Sequence, residues 1–258
     1  MENLKKEAIR IVDLWRRYGP GSLKIDLELI FNEIVIPSSN GDRCRIVFEK
    51  FDSFEGLMAR QEGSSCWVIG INENIEFAPR RNFTLAHEIG HFIGHRYKKS
   101  LFQCNFENLQ DYSNAYEKEA NEFAAHILMP ADIVRAFDKE HKFTHANVTE
   151  LAKSMGVSRS AAAYRWVELS RRKIGFAVSR DGMICHGRAS AALFSAGVYF
   201  KPGAGFPQGC VSSKPLRSGE SLQQRVPERI WHERNDCEES VFATGVGDYL
   251  YTYLDFGS

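Results

Sequence analysis

No uninterrupted apolar run long enough to span a bilayer occurs in the 258 residues, and the opening Met-Glu-Asn-Leu-Lys-Lys-Glu lacks the apolar stretch of a secretory signal. Both absences lead us to expect a soluble, cytoplasmic protein without membrane contact. Excess charge is also missing. The 33 Lys and Arg residues balance 33 Asp and Glu, which excludes a global positive field and disfavours nucleic acid as the main partner. The six cysteines, Cys44, Cys66, Cys104, Cys185, Cys210 and Cys237, form no CxxC pair, so they suggest neither a cysteine-based structural zinc site nor a dithiol redox couple, and reduced thiols are expected. No low-complexity tract or internal repeat interrupts the chain. What remains, 43% apolar and 26% charged, suffices for one substantial core or two smaller ones.

Residues 3–18 set Ile9, Ile11, Val12, Leu14 and Trp15 at helical spacing before Gly19-Pro20-Gly21 ends the helix. Cys44–Glu49, Gly56–Gln61 and Cys66–Asn72 are rich in β-formers and bounded by turn residues, which predicts a small sheet. Helical patterning returns from about 80 to 172. Beyond Gly175 short alternating stretches such as Lys173–Val178 and Tyr249–Leu254 recur between glycines and prolines, so this part reads as β-rich.

One segment carries chemistry. Phe83-Thr-Leu-Ala-His87-Glu88-Ile-Gly-His91-Phe-Ile-Gly94 contains HExxH, which sets two imidazoles one helical turn apart on one face, able to reach a single ion, with Glu88 beside them as general base. Apart from Thr84, His87, Glu88, His91 and His95 the residues around this helix are apolar or glycine, so a single polar stripe lies on an otherwise buried element. Unpaired polar groups in a core cost roughly 2–7 kcal/mol each, and coordination removes that cost. A hydrogen-bonded pair of core histidines is the bland alternative. A catalytic zinc usually has a third protein ligand. His95 stands eight residues after His87, about 12 Å along a straight helix, too far to share its ion, which suits a buried or supporting role. The helix Tyr116–Pro130 offers a better source. There Glu119, Glu122 and His126 form a stripe expected to face solvent, whereas Glu117 and Asn121 share a face with Ala124 and Leu128. Glu117 is therefore the candidate ligand, and Asn121 is placed to hold a ligand histidine by its other ring nitrogen.

These two motifs, Phe83 to His91 and Glu117-x-Glu-Ala-Asn121-x-Phe-Ala-Ala-x-Ile-Leu-Met-Pro130, resemble the ImmA/IrrE family of zinc metallopeptidases over about residues 55–170. The resemblance implies His87, His91 and Glu117 as ligands of zinc, with manganese as the alternative ion. It also implies cleavage of a helix-turn-helix repressor in a bacterial stress or mobile-element response. The expected fold is α+β: a zincin-like sheet with active-site helices in a metallopeptidase domain over 1–140, a helix-turn-helix-like helical segment over 141–172, and a β-rich domain over 173–258. The last has a faint resemblance to the GAF-like sensor module of some members, and no ligand is assigned to it. In the implied mechanism Glu88 takes a proton from the attacking water and passes it to the leaving amine. Tyr112, Tyr116, His95 and His126 are all candidates for stabilising the oxyanion, and spacing does not choose among them.

Between Val148 and Val167, Ala152, Gly156 and the Ser158 cap have helix-turn-helix spacing, and from Glu150 to Lys173 six basic residues face two acidic ones. Local charge thus permits DNA contact, although packing of an ordinary apolar seam is the preferred reading. An alternative function is a non-catalytic metal-containing regulator that binds DNA or a repressor through this segment. A deformylase-like reading through Glu62-Gly63-Ser-Ser-Cys66 has the wrong spacing. The run Cys66–Asn72 is expected to border the substrate cleft as an edge strand, with an interior strand as the alternative. No oligomeric state is legible.

Overall fold

The apolar helices and short β-branched strands assemble as an α+β structure, described over residues 2–64, 66–105 and 114–257 in a computed structural model. Two compact units account for it, one comprising Met1–Pro130 with Lys153–Ser158 and the other Ala131–Ala152 with Arg159–Ser258.

In the first unit, helix α1 (Glu2–Tyr18) buries Leu4, Ala8, Ile11, Val12 and Trp15, the apolar stripe expected of an amphipathic surface helix. A short helix α2 (Leu27–Ile30), capped by the Asp26 carboxylate accepting from Leu29 N–H at 3.0 Å, runs on into a π turn over Phe31–Val35. Strands β1 (Arg43–Glu49), β2 (Gly56–Arg60) and β3 (Cys66–Asn72) follow, then helix α3 (Ala78–His95), strand β4 (Leu101–Cys104) and helix α4 (Ala115–Leu128). The sheet order is β1-β3-β2-β4, with β1 and β3 parallel and the other pairs antiparallel.

That order overturns one expectation. Cys66–Asn72 is not an edge strand: it pairs with β1 on one side and β2 on the other, and Trp67, Ile69 and Ile71 are buried as core residues. The edge beyond β2 is β4, four residues that alternate exposed and buried. Helix α3 packs on β2 and β3 and also against α4. A Cβ at Gly90 would stand 3.0 Å from the Phe123 ring and 3.3 Å from Ala120 Cα, so glycine here lets the two helices close.

The second unit joins helices α5 (Ala131–Glu140) and α7 (Arg159–Leu169), and most of α6 (His145–Met155), to an antiparallel sheet. Its strands are β5 (Ile174–Arg180), β6 (Met183–Ala189), β7 (Ser221–Val226), β8 (Cys237–Ala243) and β9 (Tyr249–Asp255), in the order β6-β5-β9-β8-β7. Helix α7 packs on α5, β5 and β6. Trp166 on α7 is fully buried and donates its indole N–H to Asp138 at 2.6 Å. Arg165 is buried and pairs with Glu168 at 3.2 Å, and the Arg159 guanidinium lies 4.2 Å from the Phe242 ring centroid. Helix α7 thus turns these side chains into its own unit.

Candidate metal centre

Helix α3 presents His87, Glu88 and His91 fully buried, as the HExxH stripe requires. Helix α4 starts where the Asn114 side chain accepts from Tyr116 N–H at 3.0 Å, and that cap sets Glu117 in the first turn facing α3. The Nε2 atoms of His87 and His91 lie 3.0 Å apart. Glu117 Oε2 is 3.1 Å from His87 Nε2, and Oε1 is 3.5 Å from His91 Nε2.

The outer hydrogen bonds fix the tautomers. Asn121 Oδ1 accepts from His87 Nδ1–H at 2.9 Å, the contact its place one turn after Glu117 suggested. His91 Nδ1 lies 2.9 Å from His95 Nδ1, and His95 Nε2 lies 3.1 Å from Glu119 Oε2. Read as a chain, Glu119 accepts from His95 Nε2–H and His95 Nδ1 accepts from His91 Nδ1–H. His87 and His91 therefore each turn an Nε2 lone pair inward, toward each other and toward a carboxylate. Lone pairs converging at 3.0–3.5 Å repel one another unless a cation sits between them, and the donor set fits a metal ion on that ground.

Two features depart from the sequence reading. Glu119 does not belong to a purely solvated stripe, because His95 reaches it across the gap between α3 and α4. Cys104 on β4, which sequence reasoning did not single out, brings its buried Sγ to 3.3 Å from His87 Nε2, 3.8 Å from His91 Nε2 and 3.8 Å from Glu117 Oε2. Its ligand atom and those of His87, His91 and Glu117 all lie within 4.8 Å of one another. Phe102 is stacked on His91 with ring centroids 4.3 Å apart. Cys66, the cysteine weighed on sequence grounds, opens β3 and is absent from this cluster.

Glu88 is fully buried, and among the described residues neither carboxylate oxygen meets hydrogen-bond geometry, the Cys104 thiol being the side chain that interacts with it. It packs on β2, where a Cβ at Gly56 would stand 2.7 Å from Glu88 Oε1 and 2.6 Å from Thr84 Cγ2. Burial pushes the Glu88 carboxyl up to about 7, against an opposing pull from His87. Burial pushes His91 down to about 4 and lowers His95. Of the oxyanion candidates, His95 has both ring nitrogens engaged, Tyr116 stacks obliquely on His95 at 5.0 Å, and His126 is half-buried in the last turn of α4. Tyr112 lies outside the described residues.

Comparison with known proteins agrees with this geometry. Residues 43–167 match the peptidase family described as the IrrE N-terminal-like domain. Over 112 residues the chain is 33% identical to the radiation response metalloprotease IrrE of Deinococcus radiodurans, an alignment spanning 40% of this chain and 32% of that protein. The chain thus matches about a third of the length of that relative. Among solved structures, a Mycobacterium tuberculosis transcriptional regulator superposes with a TM-score of 0.58 at 15% identity, covering 99% of this chain and 76% of the other, a likeness of fold. The match thus falls on residues 43–167, which carry both histidines, Glu88, Cys104 and Glu117, and it is to the ImmA/IrrE family of peptidases.

Proposed function

We propose that the chain is a metal-dependent endopeptidase with His87, His91 and Glu117 as ligands, Glu88 as general base and Asn121 orienting His87. The observation that carries this reading is the pairing of three converging ligand atoms with a fully buried carboxylate whose oxygens, among the described residues, meet hydrogen-bond geometry with no other group. A structural metal site has no use for such an acid. A metal held there would polarise the scissile carbonyl and lower the pKa of a water toward ~7. Glu88, already raised to about 7 by burial, is matched to accept a proton from that water near neutral pH and return it to the leaving amine. The histidine, carboxylate and neighbouring thiol donors favour zinc over manganese.

The substrate follows from family resemblance: a helix-turn-helix repressor, cleaved in the cytoplasm as part of a bacterial stress or mobile-element response. Cys104 favours a second reading, a closed four-ligand site in a non-catalytic regulator, and the buried Glu88 weighs against it. Incubating the full chain with the repressor encoded by a neighbouring gene tests the proposal. Two discrete fragments by mass spectrometry in the presence of zinc, and none after chelation, support it. An intact repressor in both samples overturns the substrate assignment.

A further inference from the structure

The six separations among the four buried donors carry more information than their mere proximity. They are 3.0 Å for His87 to His91, 3.1 Å for His87 to Glu117, 3.5 Å for His91 to Glu117, and 3.3, 3.8 and 3.8 Å from Cys104 to His87, His91 and Glu117. Four ligands at about 2.0–2.3 Å from a tetrahedral zinc stand about 3.3–3.7 Å apart, the longer edges being those that include sulphur. The observed separations run from 3.0 to 3.8 Å around that size, with Glu117 counted by Oε2 toward His87 and Cys104 and by Oε1 toward His91, and the two longest, both 3.8 Å, are edges to sulphur. Cys104 therefore occupies the corner that a catalytic site of three protein ligands leaves for water or substrate.

We propose that the Cys104 thiolate is a fourth ligand that closes the metal site in the resting protein, so that peptide cleavage requires it to withdraw. The proposal rests on the reading of the cluster as a metal site. Withdrawal is a ligand exchange: the sulphur leaves with its electron pair and takes a proton from solvent, and a water fills the vacated corner. The strand that holds Cys104 suits such a movement. It is the sheet's edge, it has four residues, and among the described residues β2 is its sole strand partner. Short edge pairings open at low free-energy cost compared with a central strand. Gly56, the residue of β2 in register with Cys104, is also the residue on which Glu88 rests, so the thiol closes the space beside the general base.

The test loads the full chain with cobalt(II) and records spectra for the wild type, Cys104→Ser, Cys104→Ala and, as a control, Cys66→Ser. A thiolate-to-cobalt charge-transfer band in the near ultraviolet is expected for the wild type and Cys66→Ser and is expected to vanish in both Cys104 variants. Titration with acetohydroxamate, followed on the visible cobalt bands, should show roughly tenfold or tighter binding to Cys104→Ala, because the fraction of open sites rises. X-ray absorption of the zinc-loaded wild type needs no variant and should find one sulphur at about 2.3 Å. Bound metal without a sulphur neighbour or charge-transfer band overturns the ligand assignment while leaving the metal site intact. A charge-transfer band combined with equal hydroxamate affinity in wild type and Cys104→Ala overturns the closing role. Failure to bind either metal overturns the metal reading and this proposal together.

Discussion

Replacing Glu88 by glutamine in chelator-treated protein should stabilise the fold at alkaline pH and change it much less at pH 5. No catalytic activity is needed for this effect. The Glu88 carboxyl has an ordinary value of 4.5 and burial raises it to about 7 in the folded chain. Between those values the folded state binds more protons than the unfolded state, so the contribution of this group to stability falls as pH rises. A pKa difference of about 2.5 corresponds to about 3 kcal/mol once both states are ionised, of which about 1 kcal/mol is already lost at pH 5. Glutamine keeps the shape and carries no charge, so the variant should gain about 2 kcal/mol relative to wild type between pH 5 and pH 8. His91, lowered to about 4, has the opposite sign, since its neutral form stabilises above its unfolded value and that contribution is lost as pH falls through about 4. Both proteins contain His91, and its effect cancels in the comparison. Urea unfolding at a series of pH values gives the difference directly. A wild-type-minus-variant difference that is flat in pH, or that favours wild type more as pH rises, refutes the assignment of Glu88 as a buried carboxylate.

Other outcomes follow from the same geometry. Glu117→Ala should strip the metal, measured as zinc per chain, whereas Glu119→Ala should retain it with a modest loss of affinity, because it frees His95 and loosens the orientation of His91. Asn121→Ala should weaken metal binding by roughly 10–100-fold in chelator competition, since it releases the His87 ring. Gly56→Ala places a methyl against the Glu88 carboxylate and should depress turnover while leaving metal content unchanged. In the other unit, Trp166→Ala removes a fully buried ring and the donor to Asp138 and should cost about 3–5 kcal/mol in denaturant unfolding, with zinc content unaffected.

Much of this architecture was legible because it is local. The helical spacing of His87 and His91, and the face shared by Glu117 and Asn121, depend on a 3.6-residue period that a single segment contains. The strand Cys66–Asn72 announced itself through Val68, Ile69 and Ile71 between turns. What could not be read was pairing at a distance. The position of Cys66–Asn72 inside the sheet depends on partners 7 to 23 residues away along the chain, and its apolar content suits either place. The position of Cys104 depends on β4 joining β2, a pairing that four residues with no marked propensity do not signal. Glu119 was read as solvated because the helix face is a property of α4 alone, whereas His95 reaches it from α3.

The account stands most directly on one paired measurement: zinc content and repressor cleavage determined on the same preparations of the wild type and Glu88→Gln. We predict about one zinc per chain in both proteins, since the ligands survive, with cleavage confined to the wild type, since the proton acceptor is gone. Equal cleavage by the two, or a wild type that binds no zinc, would contradict the assignment of this site.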